Sequence, residues 1–227
     1  YFNTADIATI DPDKTNSVAD ATVSYHIYDG LYRNVQGELQ PATAESYEVS
    51  DDGLVYTFKL RQDTKWSDGQ TVTAKDYEYG MKRLCDPAAA CPASYLGAVL
   101  KNGAKVSEGE LPVDELGVKA LDDFTLEVTL ENPADYFVSM TSMSAFMPVR
   151  EDLVEKYGNE FGGSADKQVY NGPFVVSEYS NGKVELTKNP DYYDNEKISL
   201  DGVEILTVAD QTTAVSMFDA GELDLAE

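Results

Sequence analysis

The fold is decided chiefly by residues 44–61, which read AESYEVSDDGLVYTFKLR. The triplet Asp51-Asp52-Gly53 is a turn signal, because aspartate side chains bond the local backbone and glycine accepts a positive φ. After the turn every second residue is apolar, and these residues are Leu54, Tyr56, Phe58 and Leu60. Alternation of this kind predicts a β-hairpin with one buried face and one exposed face.

A helix is predicted after this hairpin. Thr73 can cap a helix over residues 74–84, with Asp76 three residues further on as in a capping box. Tyr77, Met81 and Leu84 recur at helical spacing. They predict the face of the helix that packs on the hairpin.

Two more hairpins are predicted further along the chain. Residues 116–130 contain two alternating runs that join at Asp122-Asp123, and residues 172–187 contain two that join at Asn181-Gly182. Asn-Gly between alternating runs is a strong hairpin signal, because both residues accept a positive φ. Residues 203–208 predict one more strand, and residues 223–227 also read as a strand.

Helices are predicted before, between and after these strands in the sequence. Residues 19–31 carry an amphipathic stripe at three- and four-residue steps, made of Val18, Ala21, Thr22, Tyr25, Tyr28 and Leu31. Shorter helices are predicted over residues 136–143 and 152–157, and a last one is capped by Thr212 or Thr213. Strands and helices mixed in this way indicate the α/β class.

Composition restricts the function. The chain has 227 residues, with 41 Asp and Glu against 17 Lys and Arg, and its net charge is −24. Nucleic acids and anionic membranes are bound mainly through Lys and Arg, so neither is an expected partner. The acidity either keeps the surface soluble or attracts cationic ligands. No apolar stretch approaches the roughly 18 residues that a membrane span needs.

The N-terminal residues bear on localisation. The chain opens on Tyr1-Phe2-Asn3-Thr4, without the basic and apolar regions of a signal peptide. A cytosolic protein and a secreted protein whose signal has been removed both fit, and the abrupt opening favours the second. Both ends of the sequence fall inside predicted elements, so we expect a chain cut from a longer one.

Catalytic and metal-binding patterns are weak. His26 is the one histidine of the sequence, and no nucleophile motif accompanies it. The carboxylate pairs Asp51-Asp52 and Asp122-Asp123 lie in predicted turns, which explains them without catalysis. No glycine-rich nucleotide-binding motif occurs. We therefore predict a protein that is not an enzyme and that holds neither a metal nor a cofactor.

The two cysteines leave their redox state open. Cys85 and Cys91 are separated by five residues, a spacing unlike that of redox or zinc-binding pairs. In an oxidising compartment they could close a short disulfide loop, and elsewhere they would be free thiols. The separation of their Cα atoms decides between the two states, and sequence does not supply it.

Residues 44–61 closely resemble the signature block of the oligopeptide- and dipeptide-binding (family 5) solute-binding proteins. The resemblance extends to KWSDG at residues 65–69 and VTAKD at residues 72–76. Further motifs follow in the family's order, at Ile10-Asp11-Pro12, Tyr28-Asp29-Gly30-Leu31, Asp86-Pro87, Ala93-Ser94-Tyr95, and residues 116–120, 170–174 and 221–224. The resemblance covers essentially the whole chain in one register.

The resemblance implies a periplasmic-binding-protein-like α/β fold, the Venus flytrap, in which two lobes clamp a ligand. Residues 1–28 and 151–227 would form the first ligand-binding lobe, incomplete here, and residues 29–150 an inserted α/β subdomain. The second lobe would be absent from this chain. The implied function is the substrate-binding component of an ABC importer, which captures extracellular peptides for a membrane permease. It would be a monomer at the extracellular face of the membrane or in the periplasm, lipid-anchored through a removed N-terminal segment.

The resemblance also implies ligand-binding residues. The loop after Ile10-Asp11-Pro12 contacts the ligand in such proteins, and its matching positions here are Asn16, Ser17 and Val18. Relatives that carry an acidic residue at the position of Asn16 differ from this chain. An ordinary turn before the first helix is the alternative interpretation of this loop. The alternative functions are a binder of another small solute, such as a nickel chelate or haem, and a carboxylate-based hydrolase.

Overall fold

Strands and helices are interleaved along the chain. The computed structural model describes residues 2–3, 6–180 and 182–225. Its strands are β1 (Phe2–Asn3), β2 (Tyr32–Val35), β3 (Glu38–Pro41), β4 (Ala44–Val49), β5 (Val55–Leu60), β6 (Val118–Asp122), β7 (Thr125–Thr129), β8 (Phe174–Ser180), β9 (Lys183–Lys188) and β10 (Gly202–Thr207). Its helices are α1 (Val18–Ile27), α2 (Ala74–Cys85), α3 (Gly103–Ser107), α4 (Phe137–Met140), α5 (Glu151–Tyr157) and α6 (Gln211–Asp219). The predicted α/β class is confirmed.

The strands form two four-stranded sheets and one separate hairpin. The end sheet has the order β1-β10-β9-β8, the middle sheet has the order β4-β5-β7-β6, and β2 pairs with β3 alone. β1 runs parallel to β10, and the other pairings among the described strands are antiparallel. The pairing of β1 with β10 brings the two ends of the described chain into one sheet.

The three predicted hairpins are confirmed as β4-β5, β6-β7 and β8-β9. The buried face of the first carries Tyr56, Phe58 and Leu60 as predicted. Asp52 and Asp122 each accept a hydrogen bond from the backbone N–H two residues further on, which is the predicted turn role. In the third turn, Gly182 has a φ of 85°; its predicted partner, residue 181, lies outside the described residues.

Helix α2 begins as predicted, and it packs on a different hairpin from the predicted one. The backbone N–H of Thr73 donates to Oδ2 of Asp76 at 2.7 Å and completes the capping box. Tyr77, Met81 and Leu84 are fully buried. The helix lies against β6 and β7 of the middle sheet, so its main partner is the second hairpin, whereas the sequence predicted the first.

Helix α1 is shorter than predicted, and the predicted stripe is not its buried face. The helix ends at Ile27, because Tyr28 takes up extended backbone angles of −127° and 149°. Its buried residues are Ala19, Asp20, Val23, Ser24 and Ile27. Within the predicted stripe, Val18 is 82% exposed and Tyr25 is 51% exposed. Apolar residues occur on both faces of this helix, so periodicity alone did not identify the buried one.

The C-terminal helix also differs from the prediction. Asp210, not Thr212 or Thr213, caps α6, since its Oδ1 accepts the N–H of Thr213 at 2.8 Å. An aspartate has two acceptor oxygens for the free N–H groups of the first turn, and here it lies one residue ahead of the helix. Residues 223–225 form no strand, and residues 226–227 of that predicted run lie outside the described residues. No helix in the described ranges has the length and apolarity to cross a membrane.

Two close backbone contacts require glycine. A Cβ on Gly30 would lie 2.2 Å from the carbonyl oxygen of Thr141, and a Cβ on Gly172 would lie 2.5 Å from the carbonyl carbon of Ile27. Both distances are far below van der Waals contact. These two glycines therefore allow the segments around residues 30 and 172 to pack directly against neighbouring backbone.

Both cysteines are free thiols, so no disulfide closes the loop between them. Cys85 is fully buried, and the thiol of Cys91 donates to the carbonyl oxygen of Arg83 at 3.4 Å. Burial raises the pKa of Cys85 to about 11 and that of Cys91 to about 12. Both side chains are therefore neutral thiols at physiological pH, and they pack as small apolar groups.

Replacing Phe58 with Ala tests the register of the first hairpin. The ring is fully buried and lies 5.8 Å from the ring of Tyr47 and 6.3 Å from that of Phe137. We expect the free energy of unfolding to fall by about 3–5 kcal/mol in chemical denaturation, because a large cavity is left. Leu121→Ala, at a 49% exposed position, is the control and should change it by about 0.5 kcal/mol or less. A loss below about 1 kcal/mol for Phe58→Ala would contradict the register.

Candidate functional site

The three predicted ligand-binding residues lie together on the wall of an open cleft. Asn16 and Val18 are exposed, and Ser17 is half-buried at the N-terminal end of α1. All three line a cleft of about 520 Å³, which we call the Asn16 cleft. The structure therefore brings them to one surface, and their role in binding stays a prediction.

The rest of the wall comes from helix α1 and from two segments far away in sequence. It includes Ala21 and Tyr25 of α1, residues 92–93 and 95–96, and residues 143–145. The residues that line this cleft include no Asp, Glu, Lys, Arg or His, although charged residues make up 26% of the chain. The wall can therefore offer hydroxyl, carboxamide and apolar groups to a ligand, and it has no side chain that could form a salt bridge.

The side chain of Asp20 holds residues 15–18, which we call the Asn16 loop, in one conformation. Its side chain is fully buried, and its Oδ1 accepts the N–H of Ala8 at 2.8 Å while its Oδ2 accepts the N–H of Asn16 at 3.4 Å. Its own N–H donates to Oγ of Ser17 at 3.1 Å, so Ser17 is the N-cap of α1. A hydroxyl that accepts in this way still has a proton to donate. Ser17 can therefore cap the helix and bind a ligand at the same time.

Thr15 connects the loop to the far side of the cleft. Its Oγ1 donates to the carbonyl oxygen of Pro12 at 2.9 Å and lies 2.8 Å from Oγ of Ser144. Since the proton of Thr15 is used on Pro12, Ser144 is the donor in the second bond. Both hydroxyls are buried, so this pair fixes the spacing between the Asn16 loop and residues 143–145.

A buried ion cluster anchors the turn that precedes the loop. Arg83 of α2 contacts both oxygens of Asp11 at 2.6 and 2.8 Å, and Oδ2 of Asp13 at 2.8 Å. Two carboxylates share one guanidinium, and Oδ1 of Asp13 has no hydrogen-bond partner among the described residues. Burial raises the pKa of Asp13, and this effect outweighs the opposing attraction of Arg83. Because the turn at Pro12–Lys14 runs straight into Thr15, these contacts set the position of the loop.

Sequence reasoning missed three residues of the cleft. Tyr25 was assigned to a predicted helix stripe without a binding role, and Tyr95 and Met143 were not considered for the cleft. Tyr95 is 73% exposed and Met143 is also exposed. Their one sequence signal was that they are large apolar side chains, and such side chains can also be explained by burial in the core.

Other kinds of site find no support at this surface. The described residues contain no group of three or more His, Cys, Asp and Glu that could hold a metal ion. Nδ1 of His26 lies 2.7 Å from the carbonyl oxygen of Thr22 within α1, and its ring packs 6.1 Å from that of Phe174. His26 therefore has a structural environment and lies outside the lining of the cleft.

Replacing Asp20 with Ala tests its support of the loop. The change removes the acceptor of the N–H groups of Ala8 and Asn16, and each lost hydrogen bond costs about 0.5–1.5 kcal/mol because water can reach these exposed residues. We expect a corresponding loss in the free energy of unfolding by chemical denaturation. Asp20→Asn keeps one acceptor oxygen and should lose less. Equal stability of the parent and Asp20→Ala would show that the carboxylate does not hold the loop.

The pH dependence of stability tests the ion cluster. A carboxyl whose pKa is raised on folding binds more protons in the folded state, so its contribution to stability falls as pH rises above its ordinary value. Asn cannot ionise, and Asp13→Asn should therefore gain stability relative to the parent from about pH 4 up to the raised pKa of Asp13, which is about 7. Denaturation curves across this range measure the difference, with the exposed Asp219→Asn as control. A difference that shrinks with rising pH would contradict the raised pKa.

Known proteins match nearly the whole of this chain. The family described as bacterial extracellular solute-binding proteins, family 5 Middle, matches residues 38–227. The probable deoxycholate-binding periplasmic protein YgiS of Escherichia coli is 39% identical, over 99% of this chain and 43% of that protein. The periplasmic oligopeptide-binding protein OppA of Salmonella typhimurium is 37% identical, over 98% of this chain and 41% of that protein.

A solved structure of a similar protein matches the fold of this chain. The structure of Listeria monocytogenes OppA bound to peptide matches 98% of this chain and 45% of that chain, with a TM-score of 0.94 and 36% identity. The chain thus spans less than half the length of the relatives that it matches. Over nearly all of its own length it has their fold. This chain belongs to the bacterial extracellular solute-binding proteins of family 5.

Proposed function

We propose that this chain is part of the substrate-binding component of an ABC importer, which captures extracellular peptides for a membrane permease. The observation that carries the proposal is the uncharged Asn16 cleft. A protein that accepts many peptide sequences must grip the main chain, which is common to them all. Main-chain groups are neutral donors and acceptors, so an uncharged wall with hydroxyl and carboxamide groups suits them.

Asn16, Ser17 and Val18 are the proposed ligand-binding residues. The exposed carboxamide of Asn16 both donates and accepts, as a peptide bond does. The hydroxyl proton of Ser17 is available for a carbonyl oxygen, since the hydroxyl oxygen already accepts the N–H of Asp20. The exposed side chain of Val18 adds apolar contact area beside them. The loop is held by Asp20 and Thr15, which favours binding because little ordering is left to the ligand.

We extend the proposal to the domain division. Residues 1–28 and 151–227 would form the first lobe, and residues 29–150 an inserted α/β subdomain, with the ligand clamped against a second lobe. The sheet topology supports the division, because the end sheet draws its described strands from the first set and the middle sheet from the second. Both sheets contribute to one cluster of buried apolar residues.

The proposal includes the localisation of the protein, its oligomeric state and the fate of its ligand. The two relatives cited above are named as periplasmic binding proteins, which supports a place in the periplasm or at the extracellular face of the membrane. We propose a monomer that is lipid-anchored through a removed N-terminal segment. We also propose that it releases its ligand unchanged, because the cleft lining offers no histidine or carboxylate to act as a base.

A second candidate function is the capture of another small solute in the same cleft. The relative named as probably deoxycholate-binding favours this candidate. An uncharged wall with exposed tyrosine and methionine side chains would also suit a rigid apolar solute.

Calorimetry with the natural protein at its full length tests the proposal. We expect stoichiometric binding of short peptides that mass spectrometry recovers intact. Val18→Arg places a bulky cation on the cleft wall and should weaken peptide binding by about tenfold or more, since the ligand must then pack against an unpaired charge.

Leu121→Arg makes the same change at an exposed position outside the cleft lining and should leave the affinity unchanged. Binding of deoxycholate without binding of peptides would favour the second candidate. Cleaved peptides would contradict the proposal that the ligand is released unchanged. An unaltered affinity in Val18→Arg would remove the Asn16 cleft from the binding site.

A further inference from the structure

A second cleft of about 530 Å³ adjoins the Asn16 cleft. We call it the Tyr136 cleft, and the two clefts share Tyr95, Leu96 and Met143 in their linings. The shared residues form a common border, so the two clefts lie side by side. Together they reach from the start of α1 to the start of α4, further than the Asn16 loop alone.

Large apolar side chains are exposed along this path. Tyr136 is 63% exposed and Tyr95 is 73% exposed, with Met143 exposed between the clefts and Met140 half-buried beside them. Single exposed apolar residues are common on protein surfaces, but a contiguous group that lines a hollow marks a binding surface. Tyrosine and methionine suit this use, since one offers a large rigid ring and the other a flexible and polarizable chain.

The Tyr136 cleft is almost as free of charge as its neighbour. Its lining contains Glu131 and no Asp, Lys, Arg or His. Oε2 of Glu131 already accepts the N–H of Asn102 at 2.9 Å. A cationic ligand group would meet one carboxylate that is already engaged, and an anionic group would meet no cation. Either would lose hydration without a full partner, which is costly.

We propose that the two clefts form one groove, and that the Tyr136 cleft takes an aromatic or aliphatic side chain of the bound peptide. The inference rests on the proposed function, because it assumes that the peptide main chain lies at the Asn16 loop. An extended peptide spans about 3.3 Å per residue, so neighbouring side chains can reach from one cleft into the next. The groove thereby selects the character of one ligand residue, while the main-chain contacts stay indifferent to sequence.

Calorimetry on the natural protein at its full length tests the inference. The peptides share one length and carry Phe, Leu, Ala, Lys or Glu at each position in turn. At one position we expect Phe and Leu to bind about tenfold more tightly than Lys and Glu. Tyr136→Ala should weaken binding of the Phe peptide about tenfold and that of the Ala peptide about twofold or less. Tyr136→Phe keeps the ring and should retain the preference.

Leu121→Ala removes an exposed apolar side chain elsewhere and should change no affinity. Peptide binding that Tyr136→Ala weakens equally for every peptide, or not at all, would overturn the inference and leave the proposed function standing. A lack of any position with an apolar preference would do the same. If no peptide binds the parent protein, the proposed function falls and the inference falls with it.

Discussion

Asp29 is the point at which distant parts of the chain are joined, and the arrangement of the fold depends on it. Its Oδ2 accepts the hydroxyls of Tyr192 and Tyr193 at 2.7 and 3.0 Å. Its carbonyl oxygen accepts from Tyr77 and Asn171, both at 3.0 Å, and its N–H donates to Asn171 at 3.1 Å. Burial raises the pKa of Asp29, so these donors are needed to offset the loss of water around the carboxylate. Each bond joins segments far apart in sequence, and together they fix α2, the region before β8 and the region after β9 around one residue.

This junction also determines where the binding surface begins. α1 ends two residues before Asp29, and the glycines at 30 and 172 allow neighbouring backbone to pack close to it. With its C-terminal end fixed there, α1 presents Ser17 and Val18 at its other end, where Asp20 and the Arg83 cluster hold the loop. A site on a helix restrained at both ends is more precise than one on a free loop. The candidate wall is therefore preorganised by contacts that no ligand would touch.

The parts of the fold that sequence could predict are those fixed by local chemistry. Alternation and turn residues gave the hairpins, and the capping box gave α2, because both patterns act within a few residues. The buried face of α1 was assigned wrongly, since a helix with apolar side chains on both faces needs tertiary contacts to choose between them. Asn16 and Ser17 came from the family resemblance, and their spacing alone would also fit a turn. Tyr95 and Met143 were missed because only packing brings residues 92–96 and 143–145 to the N-terminal end of α1.

All but one of the charged residues that the structure describes lie outside the linings of the two clefts. A net charge of −24 could serve solubility or attract cationic ligands. Glu131 is the one charged residue in the linings of the two clefts, so the groove itself offers little to attract a cationic ligand. Charges elsewhere on the surface are screened over a Debye length of about 8 Å at physiological ionic strength, so they act weakly on a ligand that lies in the groove. The wall of the groove is therefore not suited to binding a ligand through salt bridges. In the proposed function the wall contributes hydrogen bonding at Asn16 and Ser17 and apolar contact along the tyrosines.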